Sequence, residues 1–156
     1  MSTINRAHEA LRDSEYTLQL METCEDIRVF RIYYIACLTL LRTVGQVLIC
    51  DSADKDTRRA AIDHFNKLKL EKDEHSIYFN FIQKERDVII HEYEVNLSEY
   101  DQIVSYSDSN KISSYNLGSL YRPLVDMQFE GADVRDLIIS AISWWKTQLT
   151  IVSDQL

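Results

Sequence analysis

IYYIACLTLLRTVGQVLIC, residues 32–50, is the stretch on which the fold turns. As a helix it is long enough to cross a bilayer. Arg42 stands in its middle, at a cost of roughly 2.5–3.5 kcal/mol for insertion. Gln46 and the pair Tyr33-Tyr34 add to that cost. The innermost helix of a bundle accounts for the same residues better, because residues Ile32 to Leu41 are apolar nearly all round. The expectation is a buried central helix from about Glu25 to Cys50, and no membrane partner.

Working outward, the flanks are helical too. Ser2 or Thr3 is placed to cap a first helix with an inward stripe of Ile4, Ala7, Leu11, Leu18 and Met21. After Cys50 the stretch CDSADKD breaks the pattern and offers Ser52 and Asp54 as N-caps. A third helix is expected near Thr57–Leu70, with Ala61, Phe65 and Leu68 inward. Asp73 is placed to cap a fourth, from about Glu74 to Glu92, carrying Tyr78, Phe81, Ile82, Val88 and Ile89 on its stripe. The chain has 156 residues with 3 Gly and 1 Pro, few breakers for its length, which favours long helices over a turn-rich β-sandwich.

Residues 94–130 depart from this pattern, as serine and tyrosine replace leucine. Ile103–Ser107 and Lys111–Tyr115 flank Asp108-Ser109-Asn110 and predict a hairpin. Val125, Met127 and Phe129 alternate like one more short strand. Gly131 and Asp133 then open a last helix, with Val134, Leu137, Ile138, Ala141, Trp145, Leu149 and Val152 on its stripe. Trp144 points off that stripe, either to a partner surface or under the 94–130 segment. The fold class is mainly α, an up-and-down bundle of four to five helices with a small β or loop insertion before the last.

The net charge of −8 does not favour non-specific binding to nucleic acid or anionic membranes. It is unevenly spread. Residues 1–90 hold 13 basic and 15 acidic side chains (−2), and residues 91–156 hold 4 and 10 (−6). A polyanion should therefore meet the first part. There, Lys55, Arg58, Arg59, Lys67, Lys69 and Lys72 outnumber Asp56, Asp63 and Glu71; a solvated helix face is the alternative. Three cysteines, Cys24, Cys37 and Cys50, without a C-x-x-C pair, fit a reducing cytoplasm better than a disulfide framework or a zinc site. The opening MSTINRAHEALRDSE has no apolar core of a secretory signal.

The chemistry concentrates in RDVIIHEY, residues 86–93. Asp87 and His91 lie four apart, on one helix edge, so the carboxylate could orient the imidazole. Arg86 and His91 are about 140° apart around the helix and ~7.5 Å apart along it, too far for direct contact. Histidine moves protons at neutral pH, and arginine grips phosphate bidentately. Together they suffice for metal-free RNA cleavage: the imidazole serves the 2′-hydroxyl or the leaving oxygen, and the guanidinium stabilises the phosphorane. A plain helix end, with His91 near the dipole, Arg86 paired to Glu85 or Asp87, and Tyr93 packing, accounts for the same residues without a site.

Arg86, four residues and His91, with a polar residue directly after the arginine, resembles the R-x4–6-H signature of the HEPN superfamily of helical-bundle proteins. Many of these are endoribonucleases of toxin–antitoxin and antiphage systems. The likeness covers the layout of residues 1–93 and the final helix, and not 94–130. Tyr93 completes R-x4-H-x-Y, which is similar to HEPN toxins paired with minimal nucleotidyltransferase antitoxins. The resemblance implies one HEPN-like domain over 1–156, interrupted by 94–130, and a homodimer whose shared cleft gathers Arg86 and His91 of both chains. It implies RNA as substrate, no cofactor, and Tyr93 as the residue an antitoxin would modify with AMP. Asp87 would support the site, and Lys84, Arg58 and Arg59 would hold substrate. The alternative is a non-catalytic HEPN-like module that binds a nucleotide or a partner.

Other chemistries find little footing. HEYEV fails the H-E-x-x-H zinc pattern at Val95. Asp87 and His91 have no third metal ligand except Glu94. Gly45, Gly118 and Gly131 stand alone and form no phosphate loop, and G-x-S-x-G does not occur. His8, His64 and His75 are scattered and read as surface residues.

Overall fold

The computed structural model describes residues 2–51 and 53–156. It is mainly α-helical, a bundle of five α-helices with one small hairpin. Helix α1 spans Thr3–Glu22, and its first turn is capped by the Ser2 hydroxyl, which accepts from the Asn5 N–H. A short loop turns the chain back into α2, Ile27–Cys50. Asp26 caps α2 by accepting from the Arg28 and Val29 amides at 2.8 and 3.1 Å.

Helix α2 packs against every other helix and forms the centre of the bundle. By length and composition alone it would also serve as a membrane span. Phe30, Tyr34, Cys37, Leu38, Leu41, Val44 and Leu48 are buried. Burying each such side chain is worth about 1.5–3 kcal/mol. The expectation of an apolar girdle all round holds incompletely, since Ile32 is 56% exposed. Gly45 sits where α2 meets the last helix: a Cβ there would lie 2.8 Å from Cη2 of the fully buried Trp145.

Helix α3 covers Lys55–Leu68, two residues earlier at each end than the sequence predicts. Asp54 is its N-cap, accepting from the Thr57 amide at 3.1 Å, while Ser52, the other candidate, lies outside the described residues. A 3-10 turn, Lys69–Glu71, continues it.

Asp73 does not cap the next helix. The chain passes through successive turns, Glu74 N–H to Glu71 O and His75 N–H to Lys72 O, into a π-helical stretch, Ile77–Gln83. Tyr78 and Phe79 already donate to His75 O, so the opening turn leaves these amides no need of a side-chain cap. Helix α4, Lys84–Glu92, follows without a break. Of the expected stripe Tyr78, Phe81, Ile82 and Ile89 are buried and Val88 is half-buried.

Residues 94–130 are tied to the bundle at their base and free at their tip. Leu97 and Leu124 are buried and face each other across an isolated antiparallel bridge. Arg122, 2% exposed, donates to Asp101 at 2.7 Å and to the Glu25 carbonyl at 3.2 Å. The predicted hairpin is present as β1, Ile103–Asp108, and β2, Lys111–Asn116. Ser109 and Asn110 turn it with φ of 44° and 76°, the double positive φ of a twist-matched two-residue turn. The strand expected over Val125, Met127 and Phe129 is absent. Val125 N–H still bonds Asn96 O beside the Leu97–Leu124 bridge, but Met127 has φ 70° and Glu130 N–H bonds Met127 O, so the segment then coils as turns.

The last helix, α5, runs Val134–Ser153 with Asp133 as N-cap. Its whole expected stripe is buried. Trp144 packs on the π-helical stretch rather than under 94–130: it stacks on Tyr78 at 4.9 Å and donates to His75 Nδ1 at 3.1 Å. His75 is thereby partnered, and His64 is buried against Gln148 at 2.8 Å, so neither is the free surface residue expected.

Candidate functional site

The site is set by how α4 is clamped. Phe81, Glu85 and Ile89 follow at i, i+4, i+8 on the face turned into the core. Glu85 is thus a carboxylate on an apolar stripe, only 1% exposed. Tyr34 of α2 donates to it at 3.5 Å, and Asn96 at 3.3 and 3.4 Å. Burial pushes its pKa above the usual carboxylate range, against the opposing hydrogen bonds from Asn96 and Tyr34. The same burial, then the charge of Glu85, pushes the Tyr34 phenol well up. The residue before Arg86 therefore fixes the rotation of α4 against α2 and residues 94–96. Its signal was an acidic residue four from Phe81 and four from Ile89, and sequence reasoning passed over it.

That rotation decides where the motif points. His91 is exposed, on a groove of about 390 Å³ that Lys72, Lys84, Asp87 and Glu92 also line. Arg86 does not line this groove; it lies half-buried on another edge of α4. Its Nη1 donates to Asp87 Oδ1 at 3.1 Å, and its Nε is buried without a partner among the described residues. The carboxylate that i, i+4 spacing offers to His91 is thus engaged by Arg86, and no hydrogen bond joins Asp87 to His91 among the described residues.

Tyr93 ends α4 in the left-handed conformation, φ 54° and ψ 29°, with its N–H on Ile89 O at 3.0 Å. Glycine is the residue this cap position favours. The Tyr93 ring is 69% exposed, with the Arg31 guanidinium 5.3 Å from its centroid. Lys84 shares the groove of His91. Arg58 and Arg59 do not; with Lys55, Ile62 and Asp63 they border a separate hollow on α3.

Other chemistry is sparse. Burial pushes the Cys37 thiol up to about 12, which keeps it protonated and unreactive. Among the described residues, no three side chains of the His, Cys, Asp and Glu types gather as metal ligands. No family model matches the chain, and comparison with curated proteins and with solved structures finds no match to it. What the fold and site define is a mainly α-helical bundle with a solvent-facing histidine in a lysine-bordered groove.

Proposed function

We propose that the chain is a HEPN-like, metal-independent endoribonuclease of a toxin–antitoxin or antiphage defence system, acting in the cytoplasm as a homodimer. The observation that carries this reading is His91, exposed in a groove it shares with Lys72 and Lys84. An imidazole there meets RNA with cations beside it to hold phosphate. It takes the proton of a 2′-hydroxyl or returns one to the leaving 5′-oxygen. The 2′-oxygen bonds to phosphorus, the bond to the 5′-oxygen breaks, and a cyclic phosphate and a 5′-hydroxyl remain. Arg86 stabilises the charged phosphorane.

Within one chain Arg86 and His91 occupy different edges of α4 and do not touch, and a shared phosphate would be reached best if Arg86 of one copy meets His91 of another. Arg86 would leave Asp87 as phosphate arrives. Tyr93 supports the reading from its backbone. A tyrosine held at left-handed φ costs on the order of 1–3 kcal/mol, a strain typical of functional positions. A nucleotidyltransferase-type antitoxin is the partner that would modify its hydroxyl.

One observation favours a non-catalytic binding module instead: the Arg86 guanidinium is already occupied by Asp87. Purified protein incubated with an RNA panel in EDTA separates the two. The nuclease reading expects cyclic-phosphate products from wild type and a loss of about 10²–10⁴-fold in His91→Ala. Equal inertness of both proteins across the panel refutes it.

A further inference from the structure

A second cavity, of about 240 Å³, opens between α2, the end of α3 and the π-helical stretch. Its walls include Phe65 and Phe79, and the amides of Asn66 and Gln83 lie at its border. Neither amide makes a side-chain hydrogen bond among the described residues, so each offers a donor and an acceptor. Arg42 and Lys69 bring two cations, and no carboxylate lines the cavity.

Arg42 carries the argument. Its Nη1 donates to the Tyr78 hydroxyl at 2.9 Å, and its Nε is buried with no partner among the described residues. No ion pair to Arg42 occurs among the described residues. A guanidinium drawn partly out of water without an anion is costly, and a bound anion relieves the cost. The ligand that matches the walls is planar, with polar edges and a negative charge. The volume falls below the roughly 300–1,000 Å³ of pockets for drug-sized molecules, which suits one heterocycle inside, with a sugar and phosphate at the mouth beside the exposed Lys69. Phe79 and Gln83 line both this cavity and the groove of His91, so the two lie side by side.

We propose that this cavity is a nucleotide-binding site, taking one base against Phe65 and Phe79 and one phosphate on Arg42 and Lys69. The ligand is either a free mononucleotide or one residue of a single RNA strand leading on to the groove. Aromatic stacking and cationic phosphate contacts are the general means of holding such a unit. The proposal does not depend on cleavage at His91.

The test is tryptophan fluorescence, because Trp144 and Trp145 both pack against Tyr78 behind the cavity. The full chain is titrated with AMP, GMP, CMP and UMP, and with 2′-O-methyl RNA octamers, which lack the hydroxyl needed for cleavage. Saturable binding is expected, weakened at least tenfold in Lys69→Glu and little changed in Arg12→Glu, which alters net charge equally on α1. Lys69→Ala, with a smaller expected loss, covers any misfolding of the glutamate variant. Saturation by mononucleotides assigns the free ligand, and saturation by octamers alone assigns the strand. No saturation with any probe, or equal weakening in Lys69→Glu and Arg12→Glu, overturns the proposal. RNA cleavage by His91 with no binding in this cavity would sink this inference alone. Binding here in a protein that never cleaves would sink the nuclease reading alone.

Discussion

At the scale of single residues, Glu85 is the most consequential side chain beside the motif. Its folded pKa is raised, so the folded chain binds this proton more tightly than the unfolded chain does. Stability from this group is therefore fully present below the ordinary carboxylate pKa, and falls as pH rises from there through the raised folded value. Glu85→Gln keeps an acceptor for Tyr34 and Asn96 and removes the charge. Thermal unfolding across pH should find the variant more stable than wild type at pH 7–8, with the gap closing towards pH 4. A gap that widens on acidification contradicts this. Gly45 gives a second residue-scale prediction. Alanine would gain about 1 kcal/mol of helix propensity. It would also push on the enclosed Trp145 ring at 2.8 Å, and overpacking costs typically 1–3 kcal/mol. Gly45→Ala should lower the denaturation midpoint; a raised midpoint would mean the α2–α5 contact yields freely.

At the scale of elements, what was legible followed from periodicity joined to a cap or turn. The stripe of α5 could be read because Asp133 marks its start and its apolar residues recur every three or four. The hairpin could be read because Ser-Asn accepts positive φ between two runs of Ile, Val, Tyr and Ser. Misreadings came where one signal stood alone. Alternation at Val125, Met127 and Phe129 finds pairing only at Val125, whose N–H bonds Asn96 O, and turns take the rest of the segment. Asp73 had the chemistry of a cap, but the backbone around it was already turning. Glu85 broke the expected pattern of an apolar stripe, and its partners, Tyr34 and Asn96, are remote in sequence. Arg86 and His91 were correctly separable by helix geometry, whereas the pairing of Arg86 with Asp87 is a choice of rotamers that spacing does not dictate. The hairpin also yields a prediction. Leu117 N–H bonds Gln102 O at its base, and the strands pair with each other and are almost wholly exposed. Replacing residues 103–116 by a short Gly-Ser link should leave the helical core intact, shifting stability by less than about 1 kcal/mol. A cooperative loss of helical signal would show that the hairpin supports the bundle.

At the scale of the molecule, charge and architecture divide the labour. Residues 91–156 carry a net −6, including the hairpin and α5; the His91 groove balances Lys72 and Lys84 against Asp87 and Glu92, and the cations in excess border the hollow on α3 and the cavity of Arg42 and Lys69. A polyanion approaching an acidic protein is steered to that region. The central claim is that Arg86 and His91 act together across two chains. Its most direct measurement is RNA cleavage by hybrid dimers, formed by co-expressing Arg86→Ala with His91→Ala under two affinity tags. Each variant alone should be inactive. In a symmetric dimer, random pairing restores one of two sites in half the dimers, so the mixture should recover about a quarter of wild-type activity. A mixture as inactive as its parents, beside an active wild type, would contradict the account.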